Sequence, residues 1–259
     1  MGTFSIKPNQ PNPVANALTP QEYGVIEQGL AMYAQGWFPM AESFNARANR
    51  VKWVQPESRA LIPLDHAFHI PKSLAQRVKS GRFIITTDTC FGTVIRACAT
   101  STRIDEEGDV AGTWLHPTII RLFELFHKAG FAHSIEAWRE REPSESTTAD
   151  SKLAPAHSVG NRTLVGGLYG LALGSAFCGE SMFSRGERGG TDASKVCLVH
   201  LVKHLRARKF TMLDAQLANP HLARFGQYEI EQHEYLARLS TCVNEPHDWQ
   251  PFVPNHTLA

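Results

Sequence analysis

Apolar residues first recur at helical spacing after Thr19, pass into strand-like alternation, and end in near-continuous apolar runs after residue 160. Thr19-Pro20-Gln21-Glu22 has capping-box spacing with proline at the first helical position, so a helix is predicted to start there. Val25, Ile26, Leu30 and Tyr33 fall on one side of it, and Gly36 is placed to end it. Residues 1–18 lack such a pattern and are expected to form a flexible leader. Residues 52–64 alternate as a strand does, interrupted by Pro56. Helical spacing returns over residues 71–80, at Phe91, Val94, Ile95 and Cys98, and from Pro117 to about Ala129 with Gly130 as its stop. A strand is predicted between the first two of these, over residues 83–87.

Further strands are predicted over 132–138, 163–174, 176–182 and 209–214. A helix over 194–208 turns Leu198, Leu201, Val202 and Leu205 inward, and a short one is expected over 234–239. Residues 139–162, rich in Ser, Thr, Pro and charge, read as a long mobile insertion. Residues 186–192 read as a glycine-rich loop. Strands and helices mix without strict β-α-β alternation, so the class expected is α+β rather than a doubly wound sheet. No internal repeat is visible.

Composition narrows the class without deciding it. The 259 residues are 42% hydrophobic and 20% charged, ordinary for a globular chain with a real core. With 26 Lys+Arg against 25 Asp+Glu, a nucleic-acid partner would need a local basic patch. Lys72, Arg77, Lys79 and Arg82, on and just after the second helix, supply a candidate patch, although helix surfaces also carry such charges for solubility. The five cysteines are scattered without C-x-x-C spacing, which argues against a zinc knuckle or a disulfide framework. No stretch approaches the ~20 apolar residues of a membrane span, so a cytoplasmic protein is expected.

Two segments carry candidate chemistry. Residues 164–184 (LVGGLYGLALGSAFCGESMFS) surround the single carboxylate of Glu180 with small, apolar and aromatic residues. Leu213-Asp214-Ala215-Gln216 ends an apolar run with an acid and an amide two residues apart, on one side if the strand continues. Together they describe an apolar pocket with a proton-handling pair, although an Asp and a Gln at a strand end also serve simply to satisfy backbone groups. A salt bridge to Lys195 is the structural alternative for Glu180. His127, His133 and Glu136 lack zinc-ligand spacing, and Gly179-Glu180-Ser181-Met182-Phe183 lacks the second glycine of a nucleophile elbow.

The chain resembles the leucyl/phenylalanyl-tRNA–protein transferases over about residues 20–240. The likeness is carried by Tyr33-Ala34-Gln35-Gly36-Trp37-Phe38-Pro39, residues 53–59, Thr113-Trp114-Leu115 and Ala132-His133-Ser134-Ile135-Glu136-Ala137-Trp138. It continues through Leu164-Val165-Gly166-Gly167-Leu168-Tyr169-Gly170, Gly179-Glu180-Ser181-Met182-Phe183-Ser184, Ala193-Ser194-Lys195, and Asp214 with Gln216. This resemblance implies a small N-terminal α/β domain (1–70), a larger acetyltransferase-like domain (71–240) and a tail (241–259). It implies a monomer that uses neither metal nor nucleotide cofactor. Leu, Phe or Met would pass from aminoacyl-tRNA to proteins beginning with Lys or Arg, marking them for degradation.

By the same resemblance, Asp214 and Gln216 form the catalytic relay. Leu168, Phe177, Glu180, Met182 and Leu198 belong to the aminoacyl pocket, and Trp53 and Trp114 hold the terminal adenosine. Asp214→Ala is then expected to lose transfer and keep its fold. The chain departs from the family pattern at Val54, at Leu201, over 224–232, and in the longer segments 139–162 and 186–192. Two rivals remain. An acetyl-CoA-dependent N-acetyltransferase would use the glycine-rich loop as a pyrophosphate cradle. A non-catalytic tRNA or N-degron binder would keep only the fold.

Overall fold

A computed structural model describes residues 18–41, 51–100, 103–104, 110–111, 115–141 and 158–252. In chain order the elements are α1 (Pro20–Ala34), β1 (Phe38–Ala41), β2 (Val51–Val54), β3 (Ser58–Ile62), α2 (Lys72–Lys79), β4 (Ile84–Thr87) and α3 (Phe91–Thr100). There follow β5 (Arg103–Ile104), β6 (Val110–Ala111), α4 (Pro117–Lys128), β7 (Ala132–Glu140), β8 (Ser158–Val159), β9 (Arg162–Leu173) and β10 (Ala176–Ser184). The chain then forms α5 (Ala193–Ala207), β11 (Met212–Asp214), α6 (Pro220–Ala223), β12 (Tyr228–Glu231) and α7 (Gln232–Val243).

The first helix starts as its sequence requires. Thr19 Oγ1 accepts from the Glu22 amide at 3.2 Å, and the Glu22 carboxylate accepts from the Thr19 amide at 2.9 Å. Gly36, at φ +84°, ends the turn that follows. Val25 corrects the predicted inward face: it is 44% exposed, and Gly29 is buried in its stead. Phe126 lies so close to Gly29 that an added Cβ would meet its ring at 2.6 Å. Pro56 does break the predicted strand, separating β2 from β3. Strand β11 is shorter than its apolar run, because Lys209 turns at φ +60°. Helix α7 is longer than expected, and α6 and β12 carried no signal strong enough to be predicted.

The main sheet runs β12-β3-β11-β10-β9-β7-β4, with β8 paired to β9. Every pairing in it is antiparallel except β10 with β11. Parallel neighbours need a crossover, and α5 provides it across one face. That face holds Leu74 of α2 and Val196, Leu198, Leu201, Val202 and Leu205 of α5. The other holds Ile26, Leu30 and Tyr33 of α1, with Phe91, Ile95, Phe123, Phe126, Tyr235 and Leu239. Strand β9 is covered on both faces, which explains its nearly uninterrupted apolar sequence.

The chain is therefore mixed α/β around one large mixed sheet. Strand β3 pairs with β11 and with β12, which come much later in the chain. The segment after α7 packs on the body: Trp249 is buried, stacked between His133 (4.4 Å between ring centres) and Phe177 (5.2 Å).

Candidate active site

Strands β10 and β11 pair at Ala176–Met212, Phe177–Leu213 and Cys178–Asp214, and there the pairing stops. Beyond that point the two strands part. Two residues further along each stand Glu180 and Gln216. Glu180 occupies a β-bulge, since Gly179 faces Gly170 and Ser181 faces Tyr169, leaving Glu180 without a cross-strand partner. A bulge re-aims the side chain it carries, and here it turns a carboxylate into the gap. Gln216 lies past the strand end at φ +58°, so strand periodicity does not set its direction as the sequence suggested. Its amide nitrogen reaches Glu180 Oε1 at 3.2 Å all the same.

The gap is a cavity of about 590 Å³ with apolar walls that include Ile62, Leu168, Met182, Leu198, Leu201 and Leu213. Glu180, Asp214 and Gln216 stand in its lining, with Asn219 and His221 also among the lining residues. The Tyr33 hydroxyl donates to Glu180 Oε1 at 2.9 Å. Burial pushes the Glu180 carboxyl up to about 8, with the negative Asp214 adding to it. The Tyr33 hydrogen bond, Arg59 and Gln216 act in the opposite direction. Burial, with Glu180 beside it, raises the Tyr33 phenol well above its ordinary range. Lys195 is committed to Asp192 at 2.8 Å, so the alternative of a Lys195–Glu180 ion pair does not hold.

Asp214 is fully enclosed and its acceptor positions are taken. Arg59 donates from Nε to Oδ1 at 2.9 Å and from Nη2 to Oδ2 at 2.7 Å. The Gln216 amide N–H reaches Oδ1 at 2.9 Å, and the Tyr235 hydroxyl reaches Oδ2 at 2.9 Å. Arg59 in turn donates to the Gly36 carbonyl at 2.9 Å and lies between the Phe38 and Tyr235 rings. Burial works against the Arg59 charge, yet Asp214 holds its pKa above the ordinary guanidinium value. The carboxylate thus fixes the turn that presents Gln216.

The other predicted residues divide. Leu168, Met182 and Leu198 face the cavity. Phe177 does not: it precedes the point where the strands part, so no gap opens beside it and its ring is buried against Trp249. Trp53 lies outside this cavity, in a separate groove of about 850 Å³ between α1, β2 and α4. Tyr33 lies between Trp53 and Glu180, packing edge-on against Trp53 at 6.0 Å while its hydroxyl reaches Glu180. Trp114 lies outside the described residues. Lys72, Lys79 and Arg82 are exposed. Arg77 is half-buried and ties α2 to the start of α5, through Asp192 at 3.3 Å and the Thr191 carbonyl at 3.3 Å.

The glycine-rich loop before α5 does not form an open cradle. A Cβ on Gly190 would lie 2.3 Å from the Val165 carbonyl, and one on Gly166 would lie 2.4 Å from Ala193 Cβ. These glycines let the start of α5 press onto β9. Among the described residues no three His, Cys, Asp or Glu side chains gather as a metal-binding group, and no helix is long and apolar enough to cross a membrane.

Arg59, Tyr33 and Tyr235 were not singled out as site residues in the sequence. Arg59 did carry a signal: a charge directly before Ala60-Leu61-Ile62 must be paired if the strand is buried. Tyr33 read as one more core position, and Tyr235 carried none.

The sequence model described as "Leucyl/phenylalanyl-tRNA protein transferase" matches residues 61–143 and 151–240. A protein of that name from Paramagnetospirillum magneticum is 45% identical over 230 residues, covering 89% of this chain and 93% of its own. One from Chlorobaculum parvum is 42% identical over 214 residues, covering 83% of this chain and 93% of its own. Among solved structures, the crystal structure of FemX superposes with a TM-score of 0.47 at 14% identity, over 79% of this chain and 66% of that one.

Proposed function

The chain belongs to the leucyl/phenylalanyl-tRNA protein transferase family and is an aminoacyltransferase, and from that premise we propose that it moves Leu, Phe or Met from aminoacyl-tRNA to the N-terminal α-amine of proteins beginning with Lys or Arg. One observation carries the reading: the parted strands leave a cavity walled by Leu168, Met182 and Leu198 with Glu180 and Gln216 inside it. The volume and walls suit the side chain of Leu, Phe or Met, and Met182 can adapt to each. Such walls discriminate by only ~1–3 kcal/mol per methylene, so several acyl groups are accepted.

The donor ester is already activated, so the reaction needs no further energy source. The acceptor amine, with a pKa of about 7.7–8.0, must lose a proton as it attacks. Glu180, at about 8, matches it and serves as acid–base group. The amine nitrogen bonds to the ester carbon, and the carbon–oxygen bond to the ribose breaks. The proton lost by the amine passes to Glu180 and on to the departing ribose oxygen. Gln216 orients Glu180 and the amine. Asp214 acts as a positioning residue, holding Gln216 in its left-handed turn.

Trp53 and Trp114 remain the candidates for the adenosine, and Lys72, Lys79 and Arg82 for tRNA phosphates. Phe177 serves as support behind the pocket. A cytoplasmic monomer that needs no cofactor and feeds N-terminal degradation completes the reading. Incubation with labelled Leu-tRNA and a peptide beginning with Arg tests it. Labelled peptide should form without ATP or CoA, and failure with every Leu-, Phe- and Met-tRNA would overturn the assignment.

A further inference from the structure

The acyl cavity opens on one side. Of the residues that line it, only Leu217, Asn219 and His221 are exposed, and all three follow Gln216 closely in the chain. This stretch is fixed in place. The Asn219 side chain accepts from the His221 amide at 2.8 Å, and the Asn219 amide donates to Gln227 Oε1 at 2.9 Å. Just after α6, Phe225 is buried and stacked on Phe68 at 5.8 Å between ring centres, and its carbonyl accepts from the His69 amide at 3.1 Å. Gly226 follows at φ +88°, where a Cβ would lie 2.5 Å from the Ala67 carbonyl oxygen. Helix α6 is thus pinned at both ends, and it carries His221 at the opening.

Most other polar side chains of the lining are engaged. Lys195 binds Asp192, Ser194 Oγ accepts from Ser184, Asp214 is enclosed by Arg59, and Glu180 is met by Tyr33 and Gln216. The His221 ring has no such partner among the described residues. The charged residue nearest it on this short helix is the cap, Arg224, one helical turn further on and therefore on the same side.

A donor whose acyl side chain fills the cavity and whose ester stands at Glu180 must leave its ribose at this opening, because the ribose is joined directly to the ester oxygen. An imidazole offers a donor and an acceptor on one flat ring, which matches a hydroxyl that both gives and takes a hydrogen bond. The Arg224 charge suits a phosphate-bearing nucleotide and opposes an acceptor that begins with Lys or Arg. We propose that His221 holds the terminal ribose of the tRNA donor through the hydroxyl next to the ester, and so favours an RNA end over a deoxyribose one. The identity of the donor rests on the transferase reading above.

Binding of a stable mimic tests the contact apart from transfer. The probe is adenosine joined to phenylalanine by an amide in place of the ester, with the adjacent hydroxyl either present or replaced by hydrogen. Wild-type protein should bind the hydroxyl form about 3–10-fold more tightly by calorimetry, the effect of one hydrogen bond. His221→Phe keeps a flat ring and loses its nitrogens, so it should bind both forms alike, at the affinity wild-type protein shows for the deoxy form. His221→Gln should restore part of the preference. The proposal is overturned if wild-type affinity ignores the hydroxyl, if His221→Phe keeps the preference, or if neither form binds. It is overturned too if His221→Phe raises KM for the acceptor peptide and leaves the mimic's affinity unchanged, which would assign the ring to the acceptor. Hydroxyl-dependent binding that His221→Phe loses, in a protein that transfers nothing, leaves the contact standing and sinks the catalytic reading. Transfer by a protein indifferent to the hydroxyl does the reverse.

Discussion

Removing both partners of the Arg59–Asp214 pair is expected to cost far less than the sum of the two single losses. Arg59 is 1% exposed and Asp214 0%, and two charge-assisted hydrogen bonds of 2.9 and 2.7 Å join them. Arg59→Met leaves the carboxylate enclosed with Tyr235 and the Gln216 amide as its main donors. Asp214→Leu leaves a guanidinium held by the Gly36 carbonyl and two aromatic faces. Stranding a buried charge typically costs about 3–5 kcal/mol, so each single variant should lose that much. The double variant buries no charge, but it leaves the Gly36 carbonyl, the Tyr235 hydroxyl and the Gln216 amide to find other partners. At about 1 kcal/mol each, it should lose about 3 kcal/mol, well short of the ~6–10 kcal/mol that independent losses would give. Urea unfolding followed by tryptophan fluorescence measures all four corners, with equal m-values as the check on two-state behaviour. Additivity within about 0.5 kcal/mol, or single losses under about 1 kcal/mol, would refute the reasoning. The same argument revises the expectation that Asp214→Ala keeps its fold undisturbed, because that change strands Arg59.

Glu180→Gln should lower transfer about 10²–10⁴-fold and leave the pH-rate limb near 8 set by the acceptor amine alone, read by single-turnover kinetics on Leu-tRNA. The folded Glu180 pKa lies above its ordinary 4.5, so folding takes up a proton between about 4.5 and 8. Stability should fall as pH rises through that window, and Glu180→Gln should flatten the fall in urea titrations at successive pH values. Tyr33→Phe removes a hydrogen bond that lowers the Glu180 pKa, so the limb should move to higher pH, with a modest rate loss. A limb moving to lower pH would contradict the contact. Trp249→Ala empties the space between His133 and Phe177 and should cost about 3–5 kcal/mol in thermal or urea unfolding, whereas a loose tail would give almost no change.

Much of the molecule was written in local pattern. The capping box at Thr19, the stop at Gly36, the break at Pro56, the face of α5 and the covered run of β9 all follow from spacing and side-chain type, because the forces involved act within one or two turns of chain. The family blocks likewise marked Glu180, Asp214 and Gln216 as neighbours in function. What each does depended on partners far away in sequence. Arg59 and Tyr235 close around Asp214 across separations of 155 and 21 residues, and Tyr33 meets Glu180 across 147. No periodicity encodes such meetings; they exist only once the parallel strands have parted and a bulge has turned Glu180 into the gap. Desolvation and charge pairing are properties of that three-dimensional surrounding. Sequence therefore determined which carboxylates the chain carries near its pocket. The tertiary structure decided which is neutralised as an anchor and which faces the cavity with its pKa raised by burial.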